Sequence, residues 1–573
     1  MSFLKYILAT WLLFAAVTNA RPNQGSMISY NVITLLNQTT FKSMAVIVDN
    51  VSYPLEANKT FPILFSGKAP SAQSGYRYAK MYVSDNSTLA ESFERQPVKQ
   101  STPHEFFNRT WNTHDNAQLP QVYSPLSSIH RIKSDLHRDN EIPTIYITGN
   151  QTELDQMKSN ITADISIKTT VSYLSLHDAF QFEKAEISLS GNSARMMPKL
   201  SYNLKLHKKD KLYGYRHLKL RSLSFDPTYI REQLGYDILK SAGLISSEFS
   251  FVRVFMNNQE LGLFGIIDSF KDPWLSNVFA NGDSSYKHGY LYQSKAYGAN
   301  NHSADLSYYN NVTAYADGEF KVKEEATNGE KDNYKPLMDF TKFVSEAPIN
   351  GSNAVKEWNK KLDTETFLRS MAIEILGGYS DGYIANTNNF YLYQYPDSGQ
   401  YLYIAADLDL CLGATIQNIT NMWSGNYSTF PGWNTRPLVN QIMRVPEFNQ
   451  KFKQSLQELN TKLFNLDVVN PRINDLANML REDIAWDSEL NDKLMKSFLS
   501  SMGLSNGTDD LNAPGLSKIL EANPVALDLA KRMFNGVSFD VALNGPTGYI
   551  SLSGLKEWFS VVHQNTTNFF LQQ

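Results

Sequence analysis

The chain has 573 residues, of which 42% are hydrophobic and 19% are charged, a composition typical of folded globular domains that excludes a largely disordered protein. Because a single core rarely grows past about 300 residues, this length predicts two or three domains. The formal net charge of -4 provides no basic excess for binding nucleic acid or anionic membrane, so neither is expected as a partner.

The first twenty residues have the pattern of a secretory signal peptide. Lys5 precedes an apolar stretch from Tyr6 to Val17, and small residues at the cleavage spacing end with Ala20. A membrane anchor is the less favoured alternative, since this stretch is shorter than the roughly 20 residues of a spanning helix. The last residues lack the hydrophobic tail of a lipid-anchor signal. We therefore expect a secreted protein, extracellular or at the cell surface, with no membrane anchor.

Glycosylation sequons and cysteine usage fit this expectation. Cys411 is the only cysteine, so no intramolecular disulfide can form. A reactive thiol is one interpretation of Cys411, but its position between two leucines favours a buried small hydrophobe. The sequence also predicts a glycoprotein in which some of fourteen Asn-x-Ser/Thr sites are used. These sites begin at Asn37, Asn50, Asn58, Asn86, Asn108, Asn150, Asn160, Asn301, Asn311, Asn350, Asn418, Asn426, Asn506 and Asn565.

The amino-terminal part reads as a small β-domain followed by a linker. Short alternating segments such as Ser29–Ile33 and Met44–Val48 are separated by Asn, Pro and Gly clusters, which favours a β-sandwich-like domain over residues 21–94. Residues 95–140 are polar, with several Pro and His residues and little periodicity. They are interpreted as a linker.

A strand-rich core is predicted over residues 141–435. Period-two segments at 144–147, 163–167 and 202–206 indicate strands. A helix is predicted from Thr228 to Ala242, ending at Gly243, and a hairpin over 252–267. Helical periodicity dominates from Pro437 onward, so residues 436–573 are predicted to be mainly helical. The expected fold class is therefore α+β.

The segment 367–413 carries the pattern most suggestive of chemistry. An apolar helix is predicted to end at Gly377, and a loop carrying Asp381 follows. Two aromatic strands joined by Pro396-Asp397-Ser398-Gly399 form a predicted hairpin. A turn centred between Asp397 and Ser398 would place Asn388 opposite Asp407, so an amide and a carboxylate would share one end of the hairpin.

This pairing suits a hard metal ion. Mg²⁺ prefers oxygen ligands and usually takes one or two carboxylates, leaving positions for substrate phosphates. Asp381 precedes Asn386 by the interval that separates the base from the metal-binding Asn in the catalytic loop of protein kinases. Ordinary turn chemistry is the alternative interpretation of the loop residues.

Several motifs in one order resemble the CotH family, the spore-coat-type atypical protein kinases whose fungal branch includes cell-surface invasins. The resemblance extends over roughly residues 200–430. It rests on Leu218-Lys219-Leu220-Arg221, the segment Asp226–Leu234, Gly262-Leu263-Phe264, Ser380-Asp381-Gly382, Asn389–Tyr393 and Asp407-Leu408-Asp409.

The resemblance implies an atypical kinase-like core that binds ATP with Mg²⁺ or Mn²⁺. It implies Asp381 as the catalytic acid-base residue and Lys219 and Arg221 as the cations that neutralise phosphate. The metal is expected on Asp407, with Asn386, Asn388 and Asp409 as further ligands. Two exposed charges on a half-buried strand are the alternative for Lys219 and Arg221.

Two functions are consistent with this sequence. The first is a secreted kinase that phosphorylates Ser or Thr of secreted, coat or cell-wall proteins. The second is a binding protein, an invasin or coat component that contacts a host cell-surface receptor and uses the kinase-like lobe as a scaffold.

Overall fold

The computed structural model describes residues 26–85, 87–191, 193–295, 302–351, 353–501 and 523–572. The chain divides into two compact units, residues 1–112 and 113–573. Their boundary falls within the segment 95–140 that the sequence suggested as a linker. The predicted signal peptide, residues 1–20, lies outside the described residues.

The described part of the first unit is built from β-strands. Their order in the sheet is β6-β5-β2-β3-β4-β1-β7, with β1 antiparallel to β4 and parallel to β7. Alternating apolar side chains of β1, β2 and β5, including Tyr30, Val46 and Tyr78, form its core. The strands are β1 (Met27–Ile33), β2 (Phe41–Val48), β3 (Val51–Ala57), β4 (Leu64–Pro70), β5 (Tyr76–Tyr82), β6 (Thr88–Ala90) and β7 (Glu105–Phe106).

The second unit begins with a closed barrel of strand order β10-β11-β12-β14-β13-β8-β9. Side chains such as Ile145, Leu220 and Val254 fill its core. The predicted strands at 144–147 and 202–206 are confirmed. The barrel strands are β8 (Thr144–Thr148), β9 (Ser166–Leu174), β10 (Ala179–Leu189), β11 (Tyr202–Lys205), β12 (His217–Arg221), β13 (Phe249–Met256) and β14 (Gln259–Asp268).

Two helices interrupt the barrel strands, α1 (Gln151–Ser159) and α2 (Arg231–Ser241). Helix α2 starts three residues later than predicted. The Asp226 carboxylate accepts hydrogen bonds from the backbone and hydroxyl of Thr228, and Tyr229 adopts a positive φ of 62°, so the chain forms a turn there. The predicted stop is confirmed, since Gly243 has a φ of 71°.

A four-stranded sheet of order β16-β15-β17-β18 and a group of helices follow the barrel. The strands are β15 (Leu291–Ser294), β16 (Phe320–Glu324), β17 (Phe390–Gln394) and β18 (Tyr401–Ala405). The helices are α3 (Trp274–Phe279), α4 (Thr313–Ala316), α5 (Lys335–Glu346), α6 (Ala354–Lys361), α7 (Thr364–Leu376) and α8 (Tyr383–Asn386). Helix α7 is buried along its whole length and packs on β18.

The carboxy-terminal region is helical, as predicted, and the described chain as a whole has the expected α+β fold. Cys411 is buried, also as predicted. The remaining helices are α9 (Ile419–Met422), α10 (Pro437–Met443), α11 (Pro446–Lys462), α12 (Leu466–Ser501), α13 (Pro524–Asn535), α14 (Phe539–Asn544) and α15 (Leu555–Leu571). In the part of the chain that the structure describes, no helix has the length and apolar character needed to cross a membrane.

Helix α12 is fixed to the barrel through a buried carboxylate. Asp487 accepts hydrogen bonds from the Lys199 ammonium at 2.6 Å, the Leu263 backbone at 2.8 Å and the Tyr229 hydroxyl at 2.7 Å. A Cβ at Gly262 would lie 1.9 Å from the Asp487 carboxylate, and φ there is 101°. Only glycine allows this approach, which gives the Gly262-Leu263-Phe264 motif a structural reason.

Candidate functional site

The hairpin of β17 and β18 brings the predicted site residues to one place. Phe390 lies opposite Ala405, which is the register that the sequence predicted, and the Ala406 backbone donates to the Asn389 carbonyl at 2.9 Å beyond the strand ends. Asp407 therefore follows the end of β18 beside the start of β17. The loop between α7 and α8 carries Asp381 to the same end.

Asp381 is surrounded by amide donors. Its carboxylate accepts hydrogen bonds from the side-chain nitrogens of Asn386 at 2.5 Å, Asn388 at 3.2 Å and Asn389 at 2.8 Å. Burial raises the pKa of Asp381, the three amides oppose this effect, and the nearby negative charge of Asp407 adds to it, so the net pKa is above its usual range. The amides fix the carboxylate in one orientation.

Asp407 is surrounded by cations instead. It pairs with the Arg221 guanidinium and, at 3.4 Å, with the Lys219 ammonium. Burial disfavours its charge, but the attraction to Arg221 and Lys219 outweighs that cost and lowers the pKa of Asp407. Its side chain is still 34% exposed, whereas that of Arg221 is 7% exposed. The carboxylate can therefore contact a ligand from solvent.

Arg221 joins three carboxylates from two parts of the chain. Besides Asp407, it donates to Glu232 of α2 at 2.8 Å and lies 3.5 Å from Asp409. Burial raises the pKa of Glu232, and burial together with the neighbouring Asp407 and Glu232 charges raises the pKa of Asp409 to about 7 despite the attraction of Arg221. Within the described chain, Glu232 Oε2 and Arg221 Nε have no hydrogen-bond partner.

This set of side chains fits a hard divalent cation bound together with phosphate. When ionised, Asp407, Asp409 and Glu232 carry one more negative charge than Lys219 and Arg221 neutralise. No group of three or more His, Cys, Asp or Glu among the described residues is arranged to hold a metal by itself. Mg²⁺ commonly uses one or two carboxylates and completes its shell with water and substrate phosphates.

The structure distributes the predicted ligands between two centres. Asn386 and Asn388 direct their amide nitrogens to Asp381, while Asp409 lies against Arg221. Sequence reasoning missed Asn389 and Glu232. The run of asparagines after Asp381 was a usable signal for the first. A glutamate in the helix that follows a basic strand was a weaker signal for the second, because Arg221 needs a counter-charge when it is buried.

Three lysines near the predicted Lys219 were also missed, and we define the lysine cluster as Lys219, Lys271, Lys321 and Lys323. Lys323 Nζ donates to Gln293 at 3.3 Å and lies 5.8 Å from the centre of the Tyr391 ring. Burial and repulsion by the other three lysines lower the pKa of Lys323 to about 7. Lys321 and Lys323 alternate with apolar residues in β16, a pattern that also fits an ordinary half-exposed strand.

Glu374 of α7 connects the two aspartate-bearing segments. Its buried carboxylate accepts a hydrogen bond from the Ile384 backbone at 3.0 Å and another from the Tyr403 hydroxyl of β18. Burial raises the pKa of Glu374 to about 7, although both hydrogen bonds oppose this shift. One side chain thus ties the start of α8, next to Asp381, to the strand that leads to Asp407.

Comparison with known proteins identifies relatives of this chain. The CotH kinase protein family profile matches residues 187–502, more than half of the sequence. Invasin CotH2 of Rhizopus delemar is 28% identical over 414 residues, covering 70% of this chain and 67% of the invasin. Invasin CotH3 of the same fungus is 27% identical over 489 residues, covering 83% and 77%. Inner spore coat protein H of Bacillus subtilis is 21% identical over 373 residues, covering 65% and 89%.

Proposed function

Because this chain belongs to the CotH family, we propose that it is an atypical protein kinase that transfers the terminal phosphoryl group of ATP to Ser or Thr of secreted, coat or cell-wall proteins. The observation that carries the proposal is the position of Arg221, which pairs with Glu232 of α2 and with Asp407 at once. In protein kinases a strand lysine pairs with a helix glutamate next to a metal-binding aspartate.

The cations of the site have a role in binding the triphosphate. Lys219 and Arg221 neutralise phosphate charge. Burial and the neighbouring lysines disfavour the charged form of Lys323, and the phosphates would supply the negative charge that stabilises it. Mg²⁺ or Mn²⁺ held by Asp407, with Asp409 and an Asn386 or Asn388 oxygen as further ligands, would neutralise the remaining phosphate charge. The expected cofactors are thus ATP and a divalent cation.

Asp381 has the role of the acid-base residue. It accepts the proton of the substrate hydroxyl while the hydroxyl oxygen bonds to the terminal phosphorus and the bond from phosphorus to the leaving oxygen of ADP breaks. A raised pKa suits this role, because a base works best when its pKa approaches the working pH. The three asparagine amides keep its carboxylate in a single orientation.

The test is a phosphorylation assay on the full chain with labelled ATP and Mg²⁺ or Mn²⁺. We expect autophosphorylation or labelling of coat or wall proteins that is lost in Asp381→Ala and in Asp407→Ala. Asp397→Ala is the matched control, since Asp397 lies exposed in the turn of the same hairpin and should leave labelling unchanged. Labelling that survives in both site variants would refute the proposal.

A binding role is the second candidate, and the names of the Rhizopus relatives favour it. In this case the protein lies at the cell surface or in a coat and contacts a host cell-surface receptor, with the kinase-like unit as a scaffold. Binding of the purified chain to host cells should then persist in the Asp381→Ala, Asp407→Ala double variant. Binding that disappears together with labelling would instead tie adhesion to the catalytic site.

A further inference from the structure

A cavity of about 410 Å³ lies in the second unit among the barrel, α12 and α13. Its apolar lining comes from Leu223 before α2, Ile484 and Met495 of α12, and Phe534 of α13. The volume is in the range of pockets that hold small molecules. None of Lys219, Arg221, Asp381, Asn386, Asn388, Asp407 and Asp409 lines it.

Arg532 of α13 lines this cavity and is only 3% exposed. Its Nε donates to the Ser551 hydroxyl at 3.0 Å and its Nη1 to the Phe225 carbonyl at 3.1 Å. Both partners are neutral. Within the described chain, its Nη2 is buried without a hydrogen-bond partner. A buried guanidinium group left in this state costs free energy, since one of its donors has no acceptor and its hydrogen bonds go only to neutral groups.

Two other buried cations near the cavity are fully compensated. Arg231 pairs with Asp226 at 2.5 Å, and Lys199 pairs with Asp487 at 2.6 Å. Asp226 also accepts the hydrogen bonds of Thr228 and is committed to the turn before α2. Burial and the repulsion of Arg231 lower the pKa of Arg532 to about 10. The charges of Asp226 and Asp528 offset part of this shift. Within the described chain, however, neither carboxylate forms an ion pair with Arg532.

We propose that this cavity binds a small ligand with one oxyanion group, a carboxylate or a phosphate, attached to an apolar body. The oxyanion accepts a hydrogen bond from the Arg532 guanidinium, whose Nη2 has no partner within the described chain, and pairs with its positive charge. The apolar body packs against Leu223, Met495 and Phe534, and its transfer out of water favours binding. The site is separate from the proposed phosphoryl-transfer centre and does not depend on that function.

The proposal is tested by isothermal titration of the full chain with three probes that share a six-carbon body. Hexanoate carries a carboxylate, hexyl phosphate carries a phosphate, and hexanol carries no charge. We expect at least one anion to bind about tenfold or more tightly than hexanol, since the charged hydrogen bond is available only to the anion. The stronger of the two anions identifies the headgroup. Failure of both anions to bind, or equal affinity for hexanol, would overturn the proposal.

Variants assign the binding to Arg532. Arg532→Met should weaken the anion about tenfold or more while leaving hexanol unchanged. Lys531→Met is the matched control, because it removes a cation from the same helix at a position that does not line the cavity. Anion binding that is equal in Arg532→Met and in the parent would contradict the assignment.

A cavity-filling variant keeps the test valid if Arg532→Met does not fold. Ser488 is exposed on α12 and lines the cavity, so Ser488→Phe should occupy the space of the apolar body while Arg532 stays in place. We expect it to fold, as judged by circular dichroism, and to lose binding of the anion. Undiminished binding in folded Ser488→Phe would place the anion elsewhere. The Asp381→Ala variant should bind the probe as the parent does.

Discussion

Asp381 and Asp407 carry the same carboxyl group, but their surroundings shift its pKa in opposite directions. Asp381 accepts hydrogen bonds from three neutral asparagine amides, and its pKa is raised by burial. Asp407 is paired with Arg221 and Lys219, and their attraction lowers its pKa despite burial. Neutral donors orient a carboxylate without fully offsetting its desolvation, whereas adjacent cations do offset it.

This contrast shows how two aspartates at one end of a hairpin can have different roles. A carboxylate whose pKa is raised is suited to accept a proton, and one whose pKa is lowered stays ionised to hold a cation. The two carboxylates also repel each other when both are ionised, and the negative charge of Asp407 contributes to the raised pKa of Asp381. Substituting the two aspartates or the charged groups around them should therefore change catalysis, ligand binding or stability in measurable ways.

The largest effect is expected from removing either charge without changing shape. Asp381→Asn should lower the rate of phosphoryl transfer by at least about 10²-fold, the lower bound for loss of a general base. Asp407→Asn should also abolish most of the transfer, because it removes the charged ligand of the cation that neutralises the phosphates. Only Asp407→Asn should also abolish the stabilisation by ATP and metal in a thermal-shift assay. Equal loss of ligand stabilisation in both variants would show that the two roles are not separate.

Among these changes, removing Arg221, the cation that the three carboxylates share, should reduce the free energy of unfolding the most. Arg221→Met leaves Glu232 and Asp409 buried without their partner, which is expected to reduce the free energy of unfolding by about 3–5 kcal/mol. Urea denaturation measures this loss. Lys205→Met on the neighbouring strand is the control, because its surface pair with Glu186 should contribute less than about 1 kcal/mol. Glu232→Gln added to Arg221→Met should recover part of the stability; no recovery would contradict the buried-charge explanation.

A smaller effect concerns Asp409, whose pKa is about 7 in the folded chain because of burial. A raised folded pKa means that folding favours the protonated form, so this residue lowers stability as the pH rises towards 7. Asp409→Asn should therefore stabilise the chain relative to the parent at pH 8 more than at pH 4. Denaturation at both pH values checks this, and an equal difference at the two would argue against the shift.

The smallest effect is expected at Lys323, whose pKa is lowered to about 7 by burial and neighbouring lysines. At pH 8 much of the free protein should carry a neutral Lys323, and a bound triphosphate should raise its pKa. ATP binding should then take up protons, which titration in buffers of different ionisation enthalpy detects. Lys323→Met should reduce this uptake, while Lys335→Met should not, because Lys335 is exposed at the start of α5. Uptake unchanged in Lys323→Met would exclude Lys323 as its source.

Local features of the site were predictable, and its charge network was less so. The hairpin register was predicted because the turn from Pro396 to Gly399 sets which residues of adjacent strands face each other. The role of Glu232 was not predicted, since nothing in the sequence around α2 shows which cation it meets. Lys323 was missed for a similar reason, as its lowered pKa comes from burial and from a group of lysines that includes the distant Lys219 and Lys271.

By itself the sequence determined two of the barrel strands, the end of α2 at Gly243, the register of the hairpin that leads to Asp407, and the resemblance to a family. These features depend on side-chain periodicity, turn residues and motifs that lie within short stretches of chain. Only the tertiary structure decided that Arg221 meets Asp407, 186 residues away, and that Nη2 of the buried Arg532 has no hydrogen-bond partner among the described residues. Burial and charge compensation depend on which distant segments pack together, and a residue's own neighbours in the chain do not contain that information.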